Sequence, residues 1–153
     1  MIKKSAGILL FRFVANAPEF LLVHPGGPFW VNKDSGSWSI PKGEFSDDEN
    51  PLEAAKRETK EELGINVSGD FLSLSPVKQK SGKTIYAWAL QHDFDESQLV
   101  CNAFELEWPP KSGNIRLFPE VDRAEWFGIH QAKEKIISGQ IPLIDELAAI
   151  LIR

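Results

Sequence analysis

Short apolar runs bounded by turn-forming residues divide the chain into predicted strands. These runs lie at residues 5–13, 20–24, 71–79, 84–92, 104–108 and 124–127. Within residues 84–92, Ile85 and Ala87 alternate with Tyr86 and Trp88, so both faces of this segment are apolar. A strand with two apolar faces is typical of the interior of a sheet. The pattern therefore predicts a sheet with residues 84–92 near its centre and a turn at Ser81–Gly82 before them.

Helical spacing of apolar residues marks three further segments. These segments lie at residues 51–63, at 129–137 and from Pro142 onward. Pro and Gly interrupt regular structure at 25–28, and residues 29–37 read as a long loop. Strands combined with a central and a C-terminal helix predict an α/β sandwich, which we expect to occupy residues 1–153 as one domain.

The central helix has clear signals at both ends. Asn50 is a strong N-cap, Pro51 suits the first helical position, and Glu53 completes an N-x-x-E capping box. Gly64 follows the last apolar residue, Leu63, and permits the left-handed conformation that closes a helix. The sequence therefore predicts a helix over 51–63.

Three carboxylates lie together on one side of this helix. Glu58, Glu61 and Glu62 are neighbours there because positions i, i+3 and i+4 share a face. Such carboxylates repel one another, and a hard divalent cation such as Mg²⁺ prefers oxygen ligands of this kind. The competing interpretation is a solvated acidic surface, since charged residues are mostly exposed.

The residues around this helix favour the metal site. Their spacing is Gly, five residues, Glu, seven residues, Arg-Glu, an apolar residue, any residue, Glu-Glu, any residue, Gly and an apolar residue. The matching positions are Gly43, Glu49, Arg57, Glu58, Thr59, Glu61, Glu62, Gly64 and Ile65, with Thr59 departing from the usual aliphatic residue. This stretch, residues 43–65, resembles the Nudix box, and the chain resembles the Nudix hydrolases.

This resemblance implies a fold, a cofactor and a set of ligands. The fold is an α/β/α sandwich with a mixed central sheet. The cofactor is Mg²⁺ or Mn²⁺, which Glu58, Glu61 and Glu62 bind while also acting in catalysis. The main-chain carbonyl of Lys42 is implied as a further metal ligand. Arg57 and Glu49 are expected to brace the site structurally.

The resemblance also implies a general base outside the box, and we expect Glu105 in this role. Glu107 and Glu120 are alternatives, and a solvated strand face is the competing interpretation. Aromatic side chains are suited to stacking on a base, and lysines to meeting phosphates. The expected substrate-binding residues are Lys42, Trp30, Tyr86, Trp108 and Lys111. The alternative is a core role for the aromatic residues and a solvated loop position for the lysines.

Segments outside the box extend the resemblance. LLVHPGGPFW, WSIPKGE, FELEWPPKSG and FPEVDRAEWF are similar to a bacterial branch of predicted nucleoside-triphosphate pyrophosphohydrolases. The W-x-x-P-K-G pattern is also similar to diadenosine polyphosphate hydrolases. The resemblance implies metal-dependent hydrolysis of a nucleotide phosphoanhydride. The substrate stays open among dinucleoside polyphosphates, nucleoside triphosphates and nucleotide sugars.

Three alternative functions follow from the same resemblance. A nucleotide-sensing domain tends to lose box carboxylates, whereas this chain keeps them all. An RNA 5′-end pyrophosphohydrolase is disfavoured by the acidic balance of the chain. A diphosphate isomerase on the same fold lacks support because we find no Cys-Glu pattern for it.

Composition narrows the classes of partner. Apolar residues make up 42% of the chain and charged residues 25%, as in ordinary globular proteins. The net charge of −5 argues against broad binding to nucleic acid or anionic membranes. No apolar run approaches a membrane-spanning length, and MIKKSAGILLFRF reads as a strand. We therefore expect a cytoplasmic monomer or homodimer that acts on a small nucleotide.

Overall fold

A computed structural model describes residues 3–152, and its centre is a long antiparallel hairpin. Strand β1 spans Lys4–Val14 and strand β2 spans Ala17–Pro25, paired through Phe11↔Phe20 and its neighbours. Strand β6, Thr84–Gln91, runs parallel to β1 along its other edge. The prediction that residues 84–92 lie inside the sheet is confirmed, because β6 has strand neighbours on both sides.

The remaining strands make this a mixed, seven-stranded sheet. The path through it is β4-β6-β1-β2-β9, with β3 paired to β1 and β5 paired to β6. All pairings except β1 with β6 are antiparallel. The additional strands are β3 (Lys42–Glu44), β4 (Leu72–Ser73), β5 (Val77–Lys78) and β9 (Val121–Phe127).

The prediction of one strand over residues 71–79 was wrong. The segment forms the two short strands β4 and β5, which pair with β6 at separate places. Pro76 lies between them, and proline has no N–H with which to continue a ladder. The predicted turn before β6 is present, because Gly82 has φ 90° and its N–H donates to the Gln79 carbonyl.

A two-stranded ribbon stands apart from the main sheet. Strand β7, Ala103–Glu107, was predicted, whereas its partner β8, Ile115–Pro119, was not. Four of the five residues of β8 are exposed, so no burial pattern in the sequence indicates it. The turn between the strands contains Lys111 and Gly113, both with positive φ. Antiparallel pairing from Ala103↔Pro119 to Glu107↔Ile115 holds the ribbon together.

Helices cover both faces of the sheet. Helix α1, Pro51–Leu63, packs on one face over Ile8, Leu10 and Leu21. Helices α2, Ile129–Lys135, and α3, Ile141–Ile152, pack on the other. The core on that second face contains Leu9, Phe20, Leu22, Trp38, Leu143 and Leu147. Alternating side chains of β1 thus supply two separate cores, and the expected α/β/α sandwich is confirmed.

Two short 3-10 turns complete the chain, at Glu96–Gln98 and Ser138–Gln140. The helix predicted over 129–137 is shorter than expected, because α2 stops at Lys135 and Ile136 is extended before the second 3-10 turn. Within residues 3–152 no helix has the length and apolar character that crossing a membrane requires.

Candidate active site

Helix α1 is fixed at both ends as its sequence predicts. The Asn50 side chain accepts a hydrogen bond from the Glu53 N–H at 3.1 Å, and Gly64 closes the helix with φ 83°. Thr59 is fully buried where an aliphatic residue is usual, and its hydroxyl donates to the Ala55 carbonyl at 2.8 Å. This bond satisfies the hydroxyl, so the departure leaves no buried polar atom without a partner.

Arg57 holds the loop before the helix against the acidic face. Its Nε and Nη2 donate to the two carboxylate oxygens of Glu49, each at 3.1 Å. Its Nη1 donates to Glu58 at 2.8 Å and to Glu61 at 3.3 Å. The paired bonds to Glu49, with the nearby Glu58 charge, raise the pKa of Arg57 further above its ordinary range. The planar guanidinium of Arg57 therefore fixes the position of the loop relative to helix α1.

Gly43 leaves the space that the Glu58 carboxylate occupies. Glu58 is only 8% exposed, and its side chain packs directly against the Gly43 backbone. A Cβ atom on residue 43 would lie 2.0 Å from Glu58 Oε2. Any larger residue at this position must therefore displace the carboxylate.

The buried carboxylates are electrostatically unfavourable without a cation. Burial raises the pKa of Glu62 to about 8, with the Lys42 ammonium opposing this and the Glu58 charge adding to it. Burial, followed by the Glu61 charge, likewise raises the pKa of Glu58. Burial also lowers the pKa of the Lys42 amine. The Lys42 N–H donates to Glu62 Oε1 at 3.4 Å.

The donor set fits a hard divalent cation in chemistry, but it is not arranged in advance. Glu58 and Glu61 bond to Arg57, while Glu62 bonds to the Lys42 backbone. Among residues 3–152, no three acidic, His or Cys side chains converge closely enough to hold a metal ion. A cation would relieve the repulsion between the carboxylates, and it requires their side chains to rotate toward it.

A cavity of about 220 Å³ adjoins these carboxylates. We call it the Lys42 cavity because Lys42, Glu62 and Glu120 supply the ionisable groups in its wall. Trp30 and Ile137 contribute apolar surface, and several neutral polar residues complete the wall. A concave site with an apolar wall and a few charged groups is suited to a small-molecule ligand.

Buried His24 anchors the loop that carries Trp30. Its Nε2 donates to the Lys33 carbonyl at 2.7 Å, and its Nδ1 lies 2.8 Å from Asp122 Oδ1. The imidazole also packs edge-on against Trp38, with ring centroids 5.2 Å apart. The loop is thereby tied to β2 and β9, and Trp30 is kept at the cavity wall.

Gly26 brings Glu120 to the Lys42 cavity. The Gly26 N–H donates to the Glu120 carbonyl at 3.0 Å, and a Cβ on Gly26 would lie 1.9 Å from the Pro119 carbonyl oxygen. The Pro25–Gly26 backbone therefore meets the end of the ribbon closely. Burial, with the Glu61 charge adding to it, raises the pKa of Glu120.

The structure divides the predicted site residues into two groups. Lys42, Glu62 and Trp30 line the Lys42 cavity together. Glu58 and Glu61 lie beside them on α1 and bond to Arg57. Glu105, however, is an exposed residue of the ribbon and does not line this cavity.

Three predicted substrate contacts also lie outside the cavity wall. Tyr86 packs against Phe45, with ring centroids 6.1 Å apart. Trp108 packs edge-on against Phe29 at 5.3 Å, and Lys111 is exposed with its N–H bonded to the Glu107 carboxylate. Tyr86 faces the α1 side of the sheet, in register with Ala6. The structure supports packing roles for the two aromatic residues.

The sequence analysis missed the neutral polar residues of the cavity wall. Gln140 is hydrogen-bonded there to both Ser39 and Gln79, although up to 101 positions separate these residues in the chain. Only the fully buried side chain of Gln140 is unusual for its type, and burial is not visible in the sequence. No motif marked any of the three.

The raised pKa of Glu62 predicts a pH-dependent stability of the metal-free protein. Between pH 4.5 and about 8 the folded state keeps a proton that the unfolded state has lost, so stability from this group falls as pH rises. We expect Glu62→Gln to match the wild-type melting temperature in chelator at pH 5 and to exceed it at pH 8. At pH 8 the two melting temperatures should differ by about 2–4 °C for each kcal/mol by which removal of the buried charge raises the free energy of unfolding. Scanning calorimetry from pH 5 to 9 measures it, and parallel curves for both proteins would contradict the assignment.

The fold and the site together define a class: an α/β/α sandwich whose Arg-braced acidic helix borders a ligand cavity. The chain belongs to the NUDIX domain family, whose family model matches residues 1–147. It is accordingly a hydrolase of pyrophosphate bonds.

Two curated relatives cover most of the chain. The asymmetrical bis(5′-nucleosyl)-tetraphosphatase of Rattus norvegicus is 30% identical over 145 residues, which cover 86% of this chain and 83% of the relative. The RNA pyrophosphohydrolase of Rhizobium meliloti is 30% identical over 128 residues, covering 73% and 71%. The resemblance noted in residues 43–65 is therefore confirmed over the larger part of the chain.

Two solved structures are similar to the whole fold. An Ap4A hydrolase binary complex from C. elegans has a TM-score of 0.64 at 23% identity, covering 99% of this chain and 98% of that one. The NUDIX domain of Shewanella oneidensis NrtR complexed with ADP ribose has a TM-score of 0.67 at 15% identity, covering 99% and 89%. At these identities the two structures support the fold.

Proposed function

We propose that this chain uses Mg²⁺ or Mn²⁺ to hydrolyse a phosphoanhydride bond in dinucleoside tetraphosphates. The observation that carries the proposal is that Glu62 is both one of the buried carboxylates of the box and part of the Lys42 cavity wall. The acidic face of α1 therefore borders the cavity directly. The names of the rat and C. elegans relatives, both asymmetrical bis(5′-nucleosyl)-tetraphosphatases, support this substrate class over nucleotide sugars.

Glu58 and Glu62 are the proposed principal metal ligands, with Glu61 and the Lys42 carbonyl completing the protein's share. The first two are the carboxylates whose pKa values burial raises, so they gain most from a cation. When bound, the metal would lower the pKa of water and neutralise charge on the phosphate oxygens. Both Glu58 and Glu61 would turn toward the cation from their bonds to Arg57, and the longer 3.3 Å bond of Glu61 would be given up more readily than the 2.8 Å bond of Glu58.

Lys42 and Trp30 are the proposed substrate contacts. The Lys42 ammonium shares the cavity wall with Glu62, so it is placed to bind a phosphate oxygen next to the metal ligands. The Trp30 ring is 38% exposed in the same wall, and Lys33 Nζ lies 5.2 Å from its centroid. This exposed aromatic surface is suited to stacking on a nucleobase.

Glu120 replaces Glu105 as our candidate for the general base. It lies in the Lys42 cavity, and the Glu61 and Glu62 carboxylates are near enough to act on it electrostatically. Burial moves its pKa upward, toward the range in which a carboxylate accepts a proton from water. It would take one proton from the attacking water as the new P–O bond forms and the P–O bond to the leaving nucleotide breaks.

An RNA 5′ end is the second candidate substrate, supported by the RNA pyrophosphohydrolase relative. The net charge of −5 opposes it, because RNA binding depends on basic surface that neutralises phosphates. A small nucleotide needs only the local charge of Lys42 and the bound metal. We therefore favour the dinucleotide.

A hydrolysis panel tests the proposal. The purified protein is incubated with Ap4A, nucleoside triphosphates, nucleotide sugars and a 5′-triphosphate RNA, each in Mg²⁺, Mn²⁺ or excess chelator. We expect Ap4A to give ATP and AMP with either metal and no product in chelator, with products identified by mass spectrometry. Adding Mg²⁺ should also raise the melting temperature, since it binds only the folded site.

Other outcomes separate the alternatives. Turnover that persists in chelator would exclude metal-dependent chemistry. Faster turnover of the RNA than of Ap4A would establish the second candidate. Nucleotide binding by calorimetry with no product from any substrate would identify a nucleotide sensor.

A further inference from the structure

A chain of amide hydrogen bonds fixes the polar part of the Lys42 cavity wall. The Ile40 N–H donates to Gln140 Oε1 at 3.1 Å, which determines the orientation of that side-chain amide. Gln140 Nε2 then donates to Ser39 Oγ at 3.0 Å and to Gln79 Oε1 at 3.1 Å. Gln140 is fully buried, so a rigid backbone group determines which atom Gln79 turns toward it.

This arrangement leaves Gln79 with donors for a ligand. Its oxygen accepts the Gln140 N–H, so its NH₂ group points away from Gln140 at the other end of the amide. Within residues 3–152 that NH₂ group makes no hydrogen bond, and Gln79 lines the Lys42 cavity. A ligand in the cavity therefore meets an N–H donor at this place.

The backbone around Gln79 is held firmly. The Gln79 N–H donates to the Lys83 carbonyl, and its own carbonyl accepts from the Gly82 N–H, both at 2.9 Å. A Cβ on Gly139 would lie 3.2 to 3.5 Å from Gln79 Cα, Cγ and Cβ, so the glycine packs closely on the side chain. The turn between β5 and β6 and the 3-10 turn before α3 thus hold Gln79 in position.

We infer that Gln79 determines nucleobase specificity by donating to acceptor atoms on a purine edge. A glutamine with both amide atoms available binds adenine through N6 and N7, as acceptor and donor. The Gln79 oxygen already accepts a hydrogen bond from Gln140, so Gln79 recognises a ligand mainly through its two N–H donors. This arrangement favours a 6-oxopurine, which presents O6 and N7 acceptors, over adenine. The inference rests on the proposed hydrolysis of dinucleoside tetraphosphates.

The test compares Ap4A, Gp4G and Ip4I as substrates of the wild type and of Gln79→Glu. The carboxylate still accepts the Gln140 N–H but presents an acceptor to the ligand in place of a donor. The wild type should prefer the 6-oxopurines in kcat/KM, and the variant should shift the Gp4G to Ap4A ratio toward Ap4A by about 3- to 10-fold. Any general repulsion of phosphates by the new charge cancels in this ratio.

Two further variants complete the test. Gln131→Glu makes the same change at an exposed position of α2 and should leave the ratio unchanged. Gln79→Met removes both polar atoms and should abolish the preference while the melting temperature reports on folding. Hydrolysis with a ratio that Gln79→Glu does not alter would overturn the inference and leave the proposed function intact.

Binding calorimetry keeps the inference independent of turnover. If no tetraphosphate is hydrolysed, the proposed function fails, and the Gp4G to Ap4A ratio of binding constants then tests Gln79. A ratio that shifts in Gln79→Glu would support the recognition of the base. An unchanged ratio, or binding of neither compound, would overturn it.

Discussion

Glu58→Gln and Glu62→Gln should each reduce kcat by more than about 100-fold without unfolding the protein. Each change keeps the side-chain shape and removes the charge that we propose binds the metal. Removing even an outer partner of a metal ligand costs about 10- to 100-fold, so losing a ligand should cost more. Steady-state hydrolysis of the best substrate with saturating Mg²⁺ measures the loss, and scanning calorimetry confirms folding.

Glu53→Gln is the matched control on the same helix. Glu53 is exposed, and within residues 3–152 its carboxylate pairs only with Lys56 across one helical turn, at 3.0 Å. The change should therefore leave kcat within about twofold. Near-normal turnover in both the Glu58 and the Glu62 variant would show that this acidic face is an ordinary solvated surface. It would then remove the basis for a metal site on α1.

Gly43→Ala should reduce activity by more than about tenfold while costing little stability. The new Cβ would lie 2.0 Å from Glu58 Oε2, so the end of that side chain must rotate away from its position. Shifts of about 1 Å in a catalytic group can cost about 100-fold in rate. The measurements are kcat, the Mg²⁺ concentration for half-maximal activity, and the melting temperature.

Gly128→Ala provides the comparison. No atom lies within 4 Å of a Cβ built on Gly128, and its φ of −68° suits any residue. This variant should retain wild-type kinetics. Full activity of Gly43→Ala with an unchanged Mg²⁺ requirement would mean that Glu58 works from another position. The proposed role of the Glu58 carboxylate as a metal ligand beside Gly43 would then be wrong.

Residues 43–65 show how much of the site is determined by local sequence. Asn50 and Gly64 set the helix ends because capping depends on atoms within one turn. Glu58, Glu61 and Glu62 share a face because the helical repeat places them there. The spacing also indicated the family, and the two apolar faces of residues 84–92 indicated a strand in the interior of a sheet.

Apart from Trp30, Lys42 and Glu62, the wall of the Lys42 cavity was decided by the tertiary structure alone. Ile40 and Gln140 are 100 positions apart, and their hydrogen bond depends on where α2 and the following 3-10 turn meet the sheet. Glu105 was predicted in the site and Glu120 was placed behind it, whereas the ribbon leaves Glu105 exposed and brings Glu120 to the cavity.

The physical reason is the range over which each interaction acts. Helix caps and side-chain faces follow from dihedral angles of adjacent residues, so they are visible in the sequence. The approach of Glu120 depends on the close contact between Gly26 and Pro119, and the donor of Gln79 depends on the burial of Gln140. These contacts join distant segments through packing. The sequence by itself thus determined helix α1 and its acidic face, and only the folded structure decided which side chains line the Lys42 cavity.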